Sequence, residues 1–142
     1  MVGEGSTDAA AHGYAEIFNE STFALYEINL YTRICAICQP LSILQWQLTS
    51  DYSLLWGDGI YGSKGPLRPT QRFWNIKQLA STPADALAIP VSSSKKNVNC
   101  AAFGNMVRGE YAVHMVNNGA DCEAVISGIP VSYTHLTLPT IA

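Results

Sequence analysis

Charge is scarce in this chain. Lys, Arg, Asp and Glu make up 13% of its 142 residues, about half the share of an average globular protein, and they leave a net charge of −3. The eight Lys and Arg residues are scattered, apart from Lys95-Lys96. Gripping phosphates requires a basic stripe or patch, so nucleic acid is not an expected partner. A long hydrophobic run is missing too. The greasiest stretch, "LYTRICAICQPLSILQWQL", is interrupted by Arg33 and Pro40 and carries three glutamines. A membrane span needs roughly 20 apolar residues in succession, so no membrane partner is expected. Disorder is excluded from the opposite side, because 48% of the residues are hydrophobic and a disordered chain is poor in them.

Cysteine is sparse but suggestively spaced. Cys35-Ala-Ile-Cys38 invites a redox or zinc reading. It lies inside a helical pattern, with no second Cys/His pair at metal spacing. Small, buried, apolar cysteines fit that context better, and neither metal nor cofactor is expected. Whether Cys100 and Cys122 form a disulfide is left open by spacing alone.

The elements are legible in order. Met1-Val2-Gly3 reads as the end of a buried strand, followed by capping oxygens on Ser6, Thr7 and Asp8 for a short helix over 9–18. Ser21 is placed to cap the next helix, whose apolar positions Phe23, Tyr26, Leu30, Ile34 and Ile37 recur at spacings of three and four. Pro40 stops it. "SILQWQLTS" alternates as a strand, with Leu44, Trp46 and Leu48 on one face and Ile43, Gln45 and Gln47 on the other. The connection over 51–68 holds four glycines, Trp56 and two tyrosines. It is long for a loop, and loops of that length are usually functional or disordered. "RPTQRFWNIKQLAS" predicts a second helix with a stripe of Phe73, Ile76, Leu79 and Ala80, on which Arg68 and Arg72 serve as anchors.

Beyond Ala84 the pattern turns to short β runs at 86–89, 98–103, 111–116 and 123–126, with "VNNGAD" as a hairpin signal between the last two. His114 is expected on a solvent face of one of these runs, with no nucleophile beside it. Strand–helix–strand–helix followed by antiparallel β predicts α/β and then all-β organisation, divided near Ser81-Thr82-Pro83.

A strand–helix–strand–helix unit implies a parallel sheet with helical crossovers. "GEGST" is too short for a dinucleotide fingerprint and lacks the lysine of a P-loop. In a barrel, reactive side chains stand at the C-terminal ends of the strands. Glu4 and Trp46 fall at or near such ends in the first two strands. A carboxylate beside an indole suits carbohydrate chemistry, since one stabilises or attacks an anomeric carbon and the other stacks on the apolar face of a sugar.

"VGEGS" before a helix, then "SILQWQLTSDYSLLW", "GPLRPTQRFWNIKQLA" and a β region resemble the C-terminal part of a clan A retaining glycoside hydrolase. The resemblance covers most of residues 1–130, and "YAVHMVNNGADCEAVISGIP" is similar to the β domain that follows the barrel in such enzymes. It implies residues 1–82 as the last two βα units of a (β/α)8 barrel and 83–130 as part of an antiparallel β-sandwich. It also implies Glu4 as the catalytic nucleophile, Trp46 as a sugar platform, a carbohydrate substrate, and a secreted or periplasmic parent. His12, Trp56, Asp58 and Tyr61 are further candidates for substrate contact; a capping or surface role for His12 and loop packing for the other three are the alternatives.

Retention needs two carboxyl groups about 5 Å apart. The family's acid/base glutamate, on the fourth strand after an asparagine, has no counterpart here, because the one Asn-Glu pair, Asn19-Glu20, stands elsewhere. The expectation is a fragment of a glycosidase that is inactive alone, with a non-catalytic carbohydrate-binding β module as the alternative. Residues 131–140, "VSYTHLTLPT", resemble the translation of a transposon-end sequencing adapter, so 131–142 is set aside from the site reasoning. Met1 likewise reads as an internal methionine.

Overall fold

A computed structural model of the chain describes residues 2–5, 14–46, 48–49 and 52–129. Among these residues the fold is a small mixed α/β arrangement of two α-helices, two antiparallel sheets and one parallel strand pair. Strand β1 (Val2–Gly5) leads, through a 3-10 turn at Ala15–Asn19, into helix α1 (Ser21–Cys38) and strand β2 (Ile43–Gln45). Strands β3 (Leu55–Trp56) and β4 (Arg68–Pro69) bracket the long glycine-rich loop, and helix α2 (Gln71–Leu79) follows. Strands β5 (Leu87–Ile89), β6 (Val98–Asn105) and β7 (Glu110–Asn117) form one antiparallel sheet in that order. No closed barrel is present among the described residues.

Helix α1 ends as its sequence requires. Gln39 takes a left-handed conformation at φ 45°, and Pro40 cannot continue the helical hydrogen bonds. Its start differs from expectation: Glu20 occupies the cap position with extended backbone and no side-chain cap bond, and Ser21 is already helical. The buried face also differs. Phe23, Ala24, Glu27, Tyr31, Thr32 and Cys35 point inward, whereas Tyr26 and Ile37 of the expected stripe are exposed. The rotation follows from what packs on the helix. Glu27 meets a cation on α2, and Cys35 joins Ala101 and Phe103 of β6 in a core completed by Ile43, Leu79, Ala86 and Ala88. Thr70 caps α2 through its hydroxyl, which accepts from the Phe73 N–H at 3.4 Å and donates to the Leu54 carbonyl at 2.7 Å.

The sheet lies directly against α1, so residues on both sides of the Ser81-Thr82-Pro83 boundary share one core. Its hairpin closes at 105–110: the Asn105 side chain accepts from the Arg108 N–H at 3.1 Å, and Gly109 supplies a left-handed φ of 67°. The expected strand at 123–126 does not form. After β7 the chain bends away, as Asn117 accepts from the Gly119 N–H at 3.0 Å and donates to the Ala120 carbonyl at 2.9 Å. Val125 is then 87% exposed.

His114 also departs from its expected solvent face. It is buried on β7, 2.8 Å from the Thr82 hydroxyl and edge-on to Phe103 at 5.9 Å. Thr82 already donates its one proton to the Leu79 carbonyl, so it accepts here and His114 Nε2 carries the hydrogen. Burial lowers the His114 pKa from its ordinary value.

Candidate functional site

The strand pair β1–β2 is parallel, and α1 is the crossover between its members. Val2 pairs with Ile43 and Gly5 with Gln45, so β1 spends one residue more than β2 between the two pairings. That irregularity falls at Gly3-Glu4, and such bulges re-aim a side chain while twisting the strand. In backbone terms Glu4 immediately precedes Gly5, and Trp46 immediately follows its partner Gln45. The Glu4 side chain and the whole of His12 lie outside the described residues.

Trp46 is 46% exposed, and Leu44 and Leu48 are exposed likewise. The alternate face of β2 turns inward, with Ile43 packed on the core. Beneath Trp46, the Gln45 side chain accepts a hydrogen bond from the Tyr31 hydroxyl and donates to the Trp46 carbonyl at 2.8 Å. Burial, and secondarily the Glu27 carboxylate, push the Tyr31 pKa far above the ordinary phenol value, against a smaller opposing effect of Arg72. Tyr31 therefore remains a donor, and the backbone at Trp46 is held from below.

A second group of candidates sits in the long loop. Trp56 pairs with Arg68 across β3 and β4, and its ring stands 5.9 Å from that of Tyr61. Tyr61 stacks on Phe18 at 5.7 Å, and its hydroxyl accepts the Tyr52 N–H. Asp58 is exposed at φ 50°, its N–H donating to the Gly65 carbonyl at 2.8 Å. The loop turns so tightly that a Cβ on Gly57 would meet the Pro66 carbonyl oxygen at 2.2 Å.

Arg72 organises what lies beneath this loop. Its guanidinium donates to both carboxylate oxygens of Glu27, at 2.7 and 2.9 Å, and to the carbonyls of Tyr52 and Ser53, at 3.0 and 2.7 Å. The Phe18 and Phe23 rings close over it, their centres 4.8 and 5.4 Å away. The anchoring role expected of Arg72 is met, but its partner Glu27 carries no local signal; it reads in sequence as one more polar helical position. Arg68 reaches Asn19 at 3.3 Å on the surface.

All four cysteines are free thiols. Cys35 is buried, Cys100 half-buried, and Cys38 and Cys122 exposed. Burial raises the pKa of Cys35 and Cys100. Among the described residues no three His, Cys, Asp or Glu side chains gather into a metal-holding group, and no helix is long and apolar enough to cross a membrane. No family model, curated protein or solved structure matches the chain.

Proposed function

We propose that the chain is the C-terminal part of a retaining glycoside hydrolase of clan A, comprising the last two βα units of its (β/α)8 barrel and part of the β domain behind it. The observation carrying this reading is the parallel β1–β2 pair with α1 as crossover. Parallel sheets belong to α/β folds whose reactive groups stand at the C-terminal strand ends, and Glu4 and Trp46 occupy neighbouring ends of this pair. The half-exposed indole and its Gln45–Tyr31 support suit a sugar platform.

In this reading the Glu4 carboxylate attacks the anomeric carbon, forming a glycosyl–enzyme ester as the glycosidic bond breaks. Water later hydrolyses that ester. His12, Trp56, Asp58 and Tyr61 contribute to the substrate cleft, and the parent is secreted or periplasmic. The acid that protonates the departing oxygen comes from the upstream barrel, so the 142-residue chain alone does not turn over.

The test is Glu4→Gln in the full-length parent, assayed on aryl glycosides and by oligosaccharide binding. Loss of hydrolysis with binding retained is expected; hydrolysis at the wild-type rate overturns the nucleophile assignment.

A further inference from the structure

One flank of α1 meets the end of the β6–β7 sheet in a cluster of asparagines remote in sequence. Asn29 of α1 and Asn118, just beyond β7, exchange amide hydrogen bonds at 2.5 and 2.9 Å. Asn29 also donates to the Leu25 carbonyl at 2.8 Å and accepts from Asn99 of β6 at 2.6 Å. Asn118 donates further to the Asn97 carbonyl at 3.2 Å. Asn29 is thereby saturated, with two hydrogens donated and two lone pairs filled. Asn99 is not: among the described residues its carboxamide oxygen and one side-chain N–H have no partner, and the bond to Asn29 holds the group in place.

These amides form one wall of a surface pocket of about 420 Å³, within the range of small-molecule sites. The helix supplies the other wall. Leu30 is half-buried as a floor, and the Tyr26 ring stands 60% exposed beside it. Arg33 completes the rim, with no ion-pair or hydrogen-bond partner among the described residues. Tyr26, Leu30 and Arg33 follow one another at helical spacings of four and three, so they share one face.

We infer that this pocket, framed by Tyr26, Arg33 and the Asn29–Asn99–Asn118 amide network, binds a sugar ring at a site separate from Glu4 and Trp46. A pyranose offers an apolar C–H face and an equatorial rim of hydroxyls. The first matches the exposed aromatic ring and the leucine floor. The second matches the Asn99 carboxamide and the Arg33 guanidinium fork, whose remaining donors and acceptor have no partner among the described residues. Because the amides are locked by one another before any ligand arrives, binding does not have to order them. The inference stands on this geometry and does not depend on the identity of the nucleophile.

The test is a titration of the isotope-labelled 142-residue chain with cellotriose, xylotriose and mannotriose, following side-chain amide signals by NMR. Glycerol serves as a polyol without a ring. The expected result is saturable shifts at Asn29, Asn99 and Asn118 with at least one trisaccharide and none with glycerol. Tyr26→Ala and Arg33→Ala, both on the surface, are each expected to weaken binding roughly tenfold at unchanged melting temperature. Absence of shifts with all three sugars overturns the inference, as do shifts that survive both substitutions. Shifts confined to the Trp46 indole also overturn it while supporting the β1–β2 reading, so the two proposals fail separately.

Discussion

Arg72 and Glu27 form a bidentate ion pair, 45 positions apart in the chain and each only 1% exposed. It joins α1 to α2 at the point where both meet the start of the long loop. Four of the hydrogen bonds made by Arg72 are spent there, two on the carboxylate and two on backbone carbonyls. Such a pair is costly to desolvate and costlier still to halve.

Glu27→Ala and Arg72→Ala are each expected to lower unfolding free energy by about 3–5 kcal/mol, because the surviving charge is left buried and alone. Replacing both with apolar residues of similar volume, Glu27→Met with Arg72→Leu, recovers much of that loss. Urea denaturation of the three variants checks this; a double variant as unstable as the sum of the two single ones contradicts it.

His114 makes stability depend on pH in one direction. Its pKa is lowered by burial, so below the ordinary value of about 6.5 the unfolded chain binds more protons than the folded one. Stability contributed by the neutral imidazole is complete above that value and is lost as pH falls through the folded pKa. The melting temperature is expected to drop on acidification from about pH 7.5 to about pH 5. His114→Gln, which can still donate to Thr82, is expected to show a shallower drop, and an identical slope argues against His114 as the source.

Thiol reactivity sorts the four cysteines. Cys38 and Cys122 are exposed, while Cys35 is buried with a raised pKa and Cys100 is half-buried with a raised pKa. Since the thiolate is the reacting species, iodoacetamide should label Cys38 and Cys122 first and Cys35 only on unfolding. Rapid labelling of Cys35 in folded protein, read by peptide mass, would revive a redox role for the Cys35–Cys38 pair.

Gly57 sits at φ 107° with the Pro66 carbonyl oxygen in the place of its missing side chain. Gly57→Ala is expected to open the loop at a cost of at least about 1–3 kcal/mol. Thermal denaturation together with faster proteolysis between Ser53 and Pro66 checks it. Gly62, with open space around it and φ 73°, should tolerate Asn.

Much of the architecture was legible from local pattern. The body of α1 and its stop at Pro40, the body of α2, and the β runs of β5, β6 and β7 follow from periodicity and from proline and glycine placement, which act on the backbone within a few residues. Arg68-Pro69, expected in the first turn of α2, instead form β4, and the helix starts at Gln71 behind the Thr70 cap. The strand expected at 123–126 had the right residues, yet it pairs with no strand among the described residues, and Val125 lies open to solvent instead.

What local pattern could not decide was which side of an element faces inward. Sequence alone ranks Tyr26 and Ile37 of α1 above Glu27 and Thr32 for burial, and it leaves open which of the two faces of β2 turns inward. The fold turns Glu27 inward because Arg72 waits 45 positions later, turns Gln45 toward the Tyr31 hydroxyl, and buries His114 against Thr82 and Phe103. Periodicity specifies the backbone hydrogen bonds an element makes with itself. Burial depends on which distant side chain can satisfy a polar group removed from water, and that is determined only when the chain has closed on itself.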